Sequence, residues 1–152
     1  DMHSDDLLTL TKLHAGSALI LMQAFVPFMK DHGFGRVIFN SSRASVGLET
    51  RSAYSYSKAG IIGMARTWAL ELAPFGVTVN TVAPGPVLTD QFWGLVEKDS
   101  AQQVKIAASL PVRRIGKPED VARAILFFSD PENSYVTGQT LYVCGGSSIA
   151  SG

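Results

Sequence analysis

The sequence predicts an α/β domain built on a parallel sheet with flanking helices, of which about three strands are present. Two observations point there. Helix-type and strand-type segments alternate along the chain, the order that a parallel sheet with crossover helices requires. The strand-type runs Arg36 to Asn40 and Val77 to Val82 are β-branched and aromatic without clear alternation, which predicts burial on both faces.

Taken in order, Asp5-Asp6 opens a long apolar segment that closes at Lys30-Asp31, with acids at the start and a base near the end, as a helix dipole favours. Residues 18 to 22 and 24 to 26 are apolar on nearly every side, so this helix is expected to be buried all round or shared with a partner subunit. His32-Gly33-Phe34-Gly35 turns the chain into the first strand, which ends in Ser41-Ser42. Ile61, Ile62, Ala65, Trp68, Ala69 and Leu72 recur at helical spacing over Ser52 to Leu72, and Pro74-Phe75-Gly76 stops that helix. The second strand follows, with Ala83-Pro84-Gly85-Pro86 read as a turn. Residues 87 to 118 are irregular apart from one short helix between Asp90 and Leu110. Pro118, Glu119 and Asp120 suit the first turn of a helix over Val121 to Phe128, and Gln139 to Cys144 forms the third strand before Gly145-Gly146. There is no internal repeat and no low-complexity segment.

Composition narrows the function. The 152 residues suffice for one domain with a sizeable core, and 46% hydrophobic content with 17% charged content fits a globular chain. Thirteen basic residues balance thirteen acidic ones, so there is no field to draw in nucleic acid or an anionic membrane. The most apolar run, Ala15 to Met29, is interrupted by Gly16, Ser17, Gln23 and Pro27 and falls short of the ~20 residues a membrane span needs. Asp1 to Asp6 is acidic and polar, unlike a secretion signal, and the single Cys144 excludes an intrachain disulfide. The expected location is cytoplasmic. No His/Cys/Asp/Glu spacing fits a metal site.

The chemistry is concentrated in Tyr54-Ser55-Tyr56-Ser57-Lys58, with Ser41-Ser42 upstream. Positions i and i+4 of a helix share a face, so Tyr54 and Lys58 are expected to point into one site. A cation held beside a phenol favours the phenolate, and such a tyrosine can give or take a proton near neutrality. The spacing alone is also that of an ordinary helix surface pair. Its context decides between the two.

That context is Gly35-Arg36-Val37-Ile38-Phe39-Asn40-Ser41-Ser42, then Tyr54 to Lys58 with Ala59-Gly60, then Val79 to Thr89 containing Asn80-Thr81-Val82-Ala83-Pro84-Gly85-Pro86. Arg114 to Ala122 and Val136-Thr137-Gly138-Gln139 follow. In this order the segments resemble the C-terminal, catalytic part of the short-chain dehydrogenase/reductase family, from about residue 5 to 148. The resemblance implies a Rossmann-like fold and reversible hydride transfer between NAD or NADP and a secondary alcohol or carbonyl. It gives proton exchange to Tyr54 and ribose binding and charge to Lys58, and it gives the substrate oxygen to a serine. Ser41 lies thirteen residues before Tyr54, the commonest family separation, whereas counting along the strand from Gly35 gives Ser42. Ser42 is preferred, because the loop from Arg43 to Arg51 absorbs a deletion more easily than a buried strand does.

His14 falls where the family usually has Asn, on the proton path; a histidine satisfied between helices is the equal alternative. Pro84, Gly85, Val87 and Thr89 match the loop against the nicotinamide, Gly85 allowing close approach of backbone to the ring and Thr89 offering a donor and an acceptor. Phe92 and Trp93 are expected to wall an apolar substrate pocket, or to form a subunit contact. Helices 6–30 and 53–72 match the family's dimer interface, so a homodimer or homotetramer is expected. Cys144 stands where the family commonly has Asp and reads as a small core residue with no neighbour to activate it.

The family's Gly-rich pyrophosphate turn has no counterpart in these residues. Three explanations compete, a first half lost to disorder or cleavage, a first half supplied by a second polypeptide, and a truncated chain without catalysis; the first is the expectation, with weak or no dinucleotide binding by the chain alone. A non-catalytic pairing module of the same fold is the first rival reading. A dehalogenase is the second, and fits less well because those enzymes carry Arg in place of Lys58.

Overall fold

In the computed structural model, which describes residues 3–150, helices flank a three-stranded sheet. Asp1 and Met2 of the acidic start lie outside the described residues. The first helical stretch runs unbroken from α1 (Ser4–Thr11) to α2 (Ser17–Asp31), joined by a single π-helical turn over Lys12–Gly16. β1 (Gly35–Asn40) leads through a short 3₁₀ turn at Arg43–Val46 into α3 (Ser52–Leu72), and β2 (Val77–Pro84) follows. Then come α4 (Asp90–Trp93), α5 (Ala101–Ser109), α6 (Pro118–Ser129) and β3 (Thr140–Val143).

The sheet order is β1-β2-β3, all parallel, with Gly35 opposite Val77, Asn40 opposite Val82 and Pro84 opposite Val143. One face of the sheet packs Val77, Val79, Val37 and Phe39 against Met22 and Val26 of α2 and Ala65, Trp68, Ala69 and Leu72 of α3. The other packs Val82, Ile38 and Val143 against Val121, Ala124 and Phe128 of α6. Together these layers make a sandwich of helix, sheet and helix.

Three expectations change. Ala83 and Pro84 belong to β2 and not to a turn, because their neighbours Tyr142 and Val143 of β3 extend the pairing to the strand end. The region after β2 holds two helices, α4 and α5, in place of one. Burial on both faces holds for β2 and only in part for β1, whose Val37, Ile38 and Phe39 are half-buried because β1 has a pairing partner on one side only among the described residues.

α2 is likewise not buried all round. Ala18 and Met22 are buried, while Leu19, Ile20, Leu21, Phe25 and Phe28 are exposed along its other side. Gly76, in the left-handed conformation at φ 71°, has a packing reason as well: a Cβ there would lie 2.2 Å from the Gly33 carbonyl oxygen. No helix among the described residues is long and apolar enough to cross a membrane.

Candidate active site

The C-terminal ends of β1 and β2 and the start of α3 converge on one cavity of about 490 Å³. Its wall includes Ser41 and Ser42 just after β1, Tyr54 and Lys58 from α3, Pro84 at the end of β2, and Gly85, Val87 and Thr89 beyond it. Phe92 and Leu95 close it on the α4 side, and Val121 and Ile125 of α6 form its floor.

Tyr54 and Lys58 share this cavity because four residues of α3 bring them to one face. Lys58 Nζ lies 5.8 Å from the centre of the Tyr54 ring and donates to the Asn40 carbonyl at 3.0 Å. Burial pushes the Lys58 ammonium below the usual lysine range. An ammonium has three donors, so two remain after the Asn40 bond for a hydroxyl-bearing ligand.

The two serines differ. Ser41, only 4% exposed, donates its hydroxyl hydrogen to the Lys58 carbonyl at 2.7 Å. Ser42 Oγ accepts from the Ala44 N–H at 3.1 Å, capping the 3₁₀ turn, and its own hydrogen has no acceptor among the described residues. A hydroxyl carries one donor and two acceptor lone pairs, so Ser42 keeps a donor to offer into the cavity and Ser41 does not.

His14 sits in the π-helical turn, beside the cavity and not on its wall. Its Nδ1 is 2.9 Å from Ser57 Oγ, and its ring meets the Tyr54 ring edge-on with centroids 5.9 Å apart. Burial and then the Lys58 charge hold His14 below the usual histidine range.

After β2, Gly85 is fixed by packing: a Cβ there would lie 2.8 Å from Cys144 Cα and 2.9 Å from its Cβ. Close approach of the chain just after β3 is one reason for a glycine here, and Gly85 also lies on the cavity wall. Thr89 caps α4, its hydroxyl accepting from the Phe92 N–H at 3.4 Å, and it remains on the cavity wall. Phe92 faces the cavity, whereas Trp93 lies off its wall, edge-on to Phe92 and under the Lys98 ammonium. The segment leading into α6 is pinned by Asp120, which takes both guanidinium nitrogens of Arg114 at 2.7 and 3.1 Å and the Lys117 N–H at 2.8 Å. These bonds, Arg114 first, hold the Asp120 carboxyl well below the usual range.

Cys144 is a buried core residue as expected, but neighbouring groups do act on its thiol. Burial pushes its thiol up, but hydrogen bonds with Ser148, Ser147 and Gly146 outweigh that and leave it below the usual cysteine range. Asn40 and Ser57 are the supporting residues that sequence reasoning missed. Asn40 acts through its main chain, which no residue identity reports, and Ser57 stood inside the Tyr-to-Lys motif as an unassigned position.

The donor set fits the nicotinamide and ribose half of a dinucleotide: Lys58 and Thr89 are polar contacts on an otherwise apolar wall of Pro84, Val87 and Phe92.

Parallel strands that deliver their C-terminal ends to one ligand-sized cavity, with helices on both faces, define a doubly wound α/β domain with its ligand crevice at the usual place. The chain matches the family model described as enoyl-(acyl carrier protein) reductase over residues 1–148. It is 42% identical over 130 residues to the (2S)-[(R)-hydroxy(phenyl)methyl]succinyl-CoA dehydrogenase subunit BbsD of Thauera aromatica, covering 86% of this chain and 51% of that one. It is also 42% identical over 125 residues to the 3-oxoacyl-[acyl-carrier-protein] reductase FabG of Thermotoga maritima, covering 82% and 50%. The solved structure of 7α-hydroxysteroid dehydrogenase complexed with NADH and 7-oxo glycochenodeoxycholic acid superposes with a TM-score of 0.88 at 32% identity, covering 96% of this chain and 57% of that one. The chain belongs to the short-chain dehydrogenase/reductase family. It spans about half the length of the relatives it matches.

Proposed function

We propose that the protein carrying this chain is an NAD- or NADP-dependent oxidoreductase that interconverts a secondary alcohol and a carbonyl. The observation that supports it most is the meeting of Tyr54, Lys58 and the unspent Ser42 donor on one cavity. The nicotinamide cofactor supplies the hydride chemistry when bound. Lys58 would hold its ribose, and Pro84, Gly85, Val87 and Thr89 would face the ring.

The chain's own residues do the rest. Ser42 donates to the substrate oxygen and fixes its position. Tyr54 delivers a proton to that oxygen in reduction and removes it in oxidation. Lys58 places its positive charge 5.8 Å from the centre of the Tyr54 ring, in the same cavity as the proton that moves. Phe92 and Leu95 shield the site from water on the α4 side. The relatives named for acyl thioesters favour a substrate with its hydroxyl or keto group on an acyl chain.

The exposed Leu19, Ile20, Leu21, Phe25 and Phe28 of α2 favour pairing of the protein with a second copy through its long helices. The Tyr54→Phe variant of the complete protein tests the enzyme reading. It should lose about 10²-fold or more in kcat while keeping its fold. Activity within tenfold of the parent would sink the assignment.

A further inference from the structure

Ser57 is 2% exposed and lies between two groups of the site. Its Oγ is 2.9 Å from the Tyr54 carbonyl oxygen and 2.9 Å from His14 Nδ1. A carbonyl can only accept, so the one hydroxyl hydrogen of Ser57 goes to Tyr54. The oxygen of Ser57 then meets His14 as an acceptor, and the hydrogen between them has to come from Nδ1. A neutral imidazole carries a single N–H, so Nε2 is left as a bare lone pair. Ser57 is too deeply buried for bulk water to compete for its hydroxyl.

The helix is built to place this ring. Residues Lys12–Gly16 form the π-helical turn, which inserts one residue per turn and moves His14 off the register that α1 and α2 would otherwise impose. The ring then stands edge-on to Tyr54 and faces α3.

We propose that Ser57 is a positioning residue for His14, holding it in the Nδ1–H tautomer so that Nε2 stands as a proton acceptor beside Tyr54. Uptake of one proton at Nε2 gives an imidazolium that keeps its Nδ1–H on Ser57, and loss of that proton restores the starting state. Because burial and Lys58 keep His14 below the usual histidine range, the neutral tautomer is the form present at neutral pH. The titratable groups that α3 turns towards it are Tyr54 and Lys58. Lys12 is exposed in its own turn, Asp5 and Asp6 lie in the first turn of α1, and Lys30 and Asp31 stand at the far end of α2. The link to catalysis rests on the oxidoreductase reading; the tautomer does not.

Long-range proton–nitrogen correlation spectra of the complete protein, labelled with ¹⁵N-histidine, decide the matter. The His14 signals are assigned by their loss in His14→Asn. At neutral pH the parent should show Nδ1 protonated and Nε2 bare; the reverse pattern overturns the proposal without recourse to any variant. Ser57→Ala should return His14 towards the Nε2–H tautomer that free histidine favours, and Ser57→Thr, which keeps a hydroxyl, should retain Nδ1–H. An unchanged tautomer in Ser57→Ala shows that Ser57 does not position the ring. Failure of the oxidoreductase reading would appear separately, as absence of turnover with either nucleotide while the spectra hold.

Discussion

Lys58 and Asn40 are joined by a hydrogen bond from the Lys58 ammonium to the Asn40 carbonyl at 3.0 Å, which ties α3 to the last residue of β1. Ser41 ties the same two elements in the other direction, its hydroxyl donating to the Lys58 carbonyl. Residue 58 is therefore held at both its main chain and its side-chain tip, and the cavity inherits that rigidity.

Replacing Lys58 by Met keeps much of the stem's packing and removes the charge and the Asn40 bond. In the complete protein kcat should fall by about 10²-fold or more, and the KM for nucleotide should rise. Steady-state kinetics with varied nucleotide measures both. An unchanged KM would show that Lys58 does not hold the ribose.

The two serines should separate by what they cost. Ser41→Ala removes a buried hydrogen bond and should lower stability by about 1 kcal/mol, read as a shift in urea midpoint at constant slope. Ser42→Ala should cost more in kcat than Ser41→Ala does, because only Ser42 keeps a donor for the substrate oxygen.

His14 makes stability depend on pH in a defined direction. Its pKa in the folded protein lies below the usual value of about 6.5, so on acidification the unfolded chain binds the proton first. Stability should be level above about pH 6.5, fall as pH drops through that value, and level again below the folded pKa. His14→Asn should flatten this step, measured by urea unfolding at a series of pH values. A step of the same size in that variant would assign it to another group.

Gly85→Ala should force β2 and β3 apart, since the added Cβ would lie within 3.1 Å of three Cys144 atoms, two of them main chain. A loss of about 1–3 kcal/mol is expected. The change should also disturb the Pro84 to Thr89 wall, raising KM for nucleotide. Thermal unfolding together with kinetics checks both effects.

Much of the site was legible in the chain. Tyr54 and Lys58 meet because helical periodicity is local, and Ser52–Leu72 forms over the residues the spacing predicts. The ends of β2 and β3 were less legible. Pro84 and Gly85 carry turn chemistry, yet pairing with Tyr142 and Val143 keeps Pro84 in the strand. Phe92 and Trp93 are equivalent in composition, and only the cap that Thr89 places on α4 aims one of them at the cavity and turns the other aside. The π-helical turn left no mark in residues 12 to 16, because no Pro or paired glycines signal it.

By itself the sequence determined the alternation of elements, the parallel sheet and the shared face of Tyr54 and Lys58. These follow from patterning over neighbouring residues, where each side chain's preference is set by its own short stretch of backbone. Only the tertiary structure decided which serine keeps a donor, what Gly85 packs against, and that Ser57 stands between Tyr54 and His14. Those outcomes depend on hydrogen bonds and contacts between residues far apart in the chain, whose partners exist only after β1, β2, β3 and the long helices have packed together.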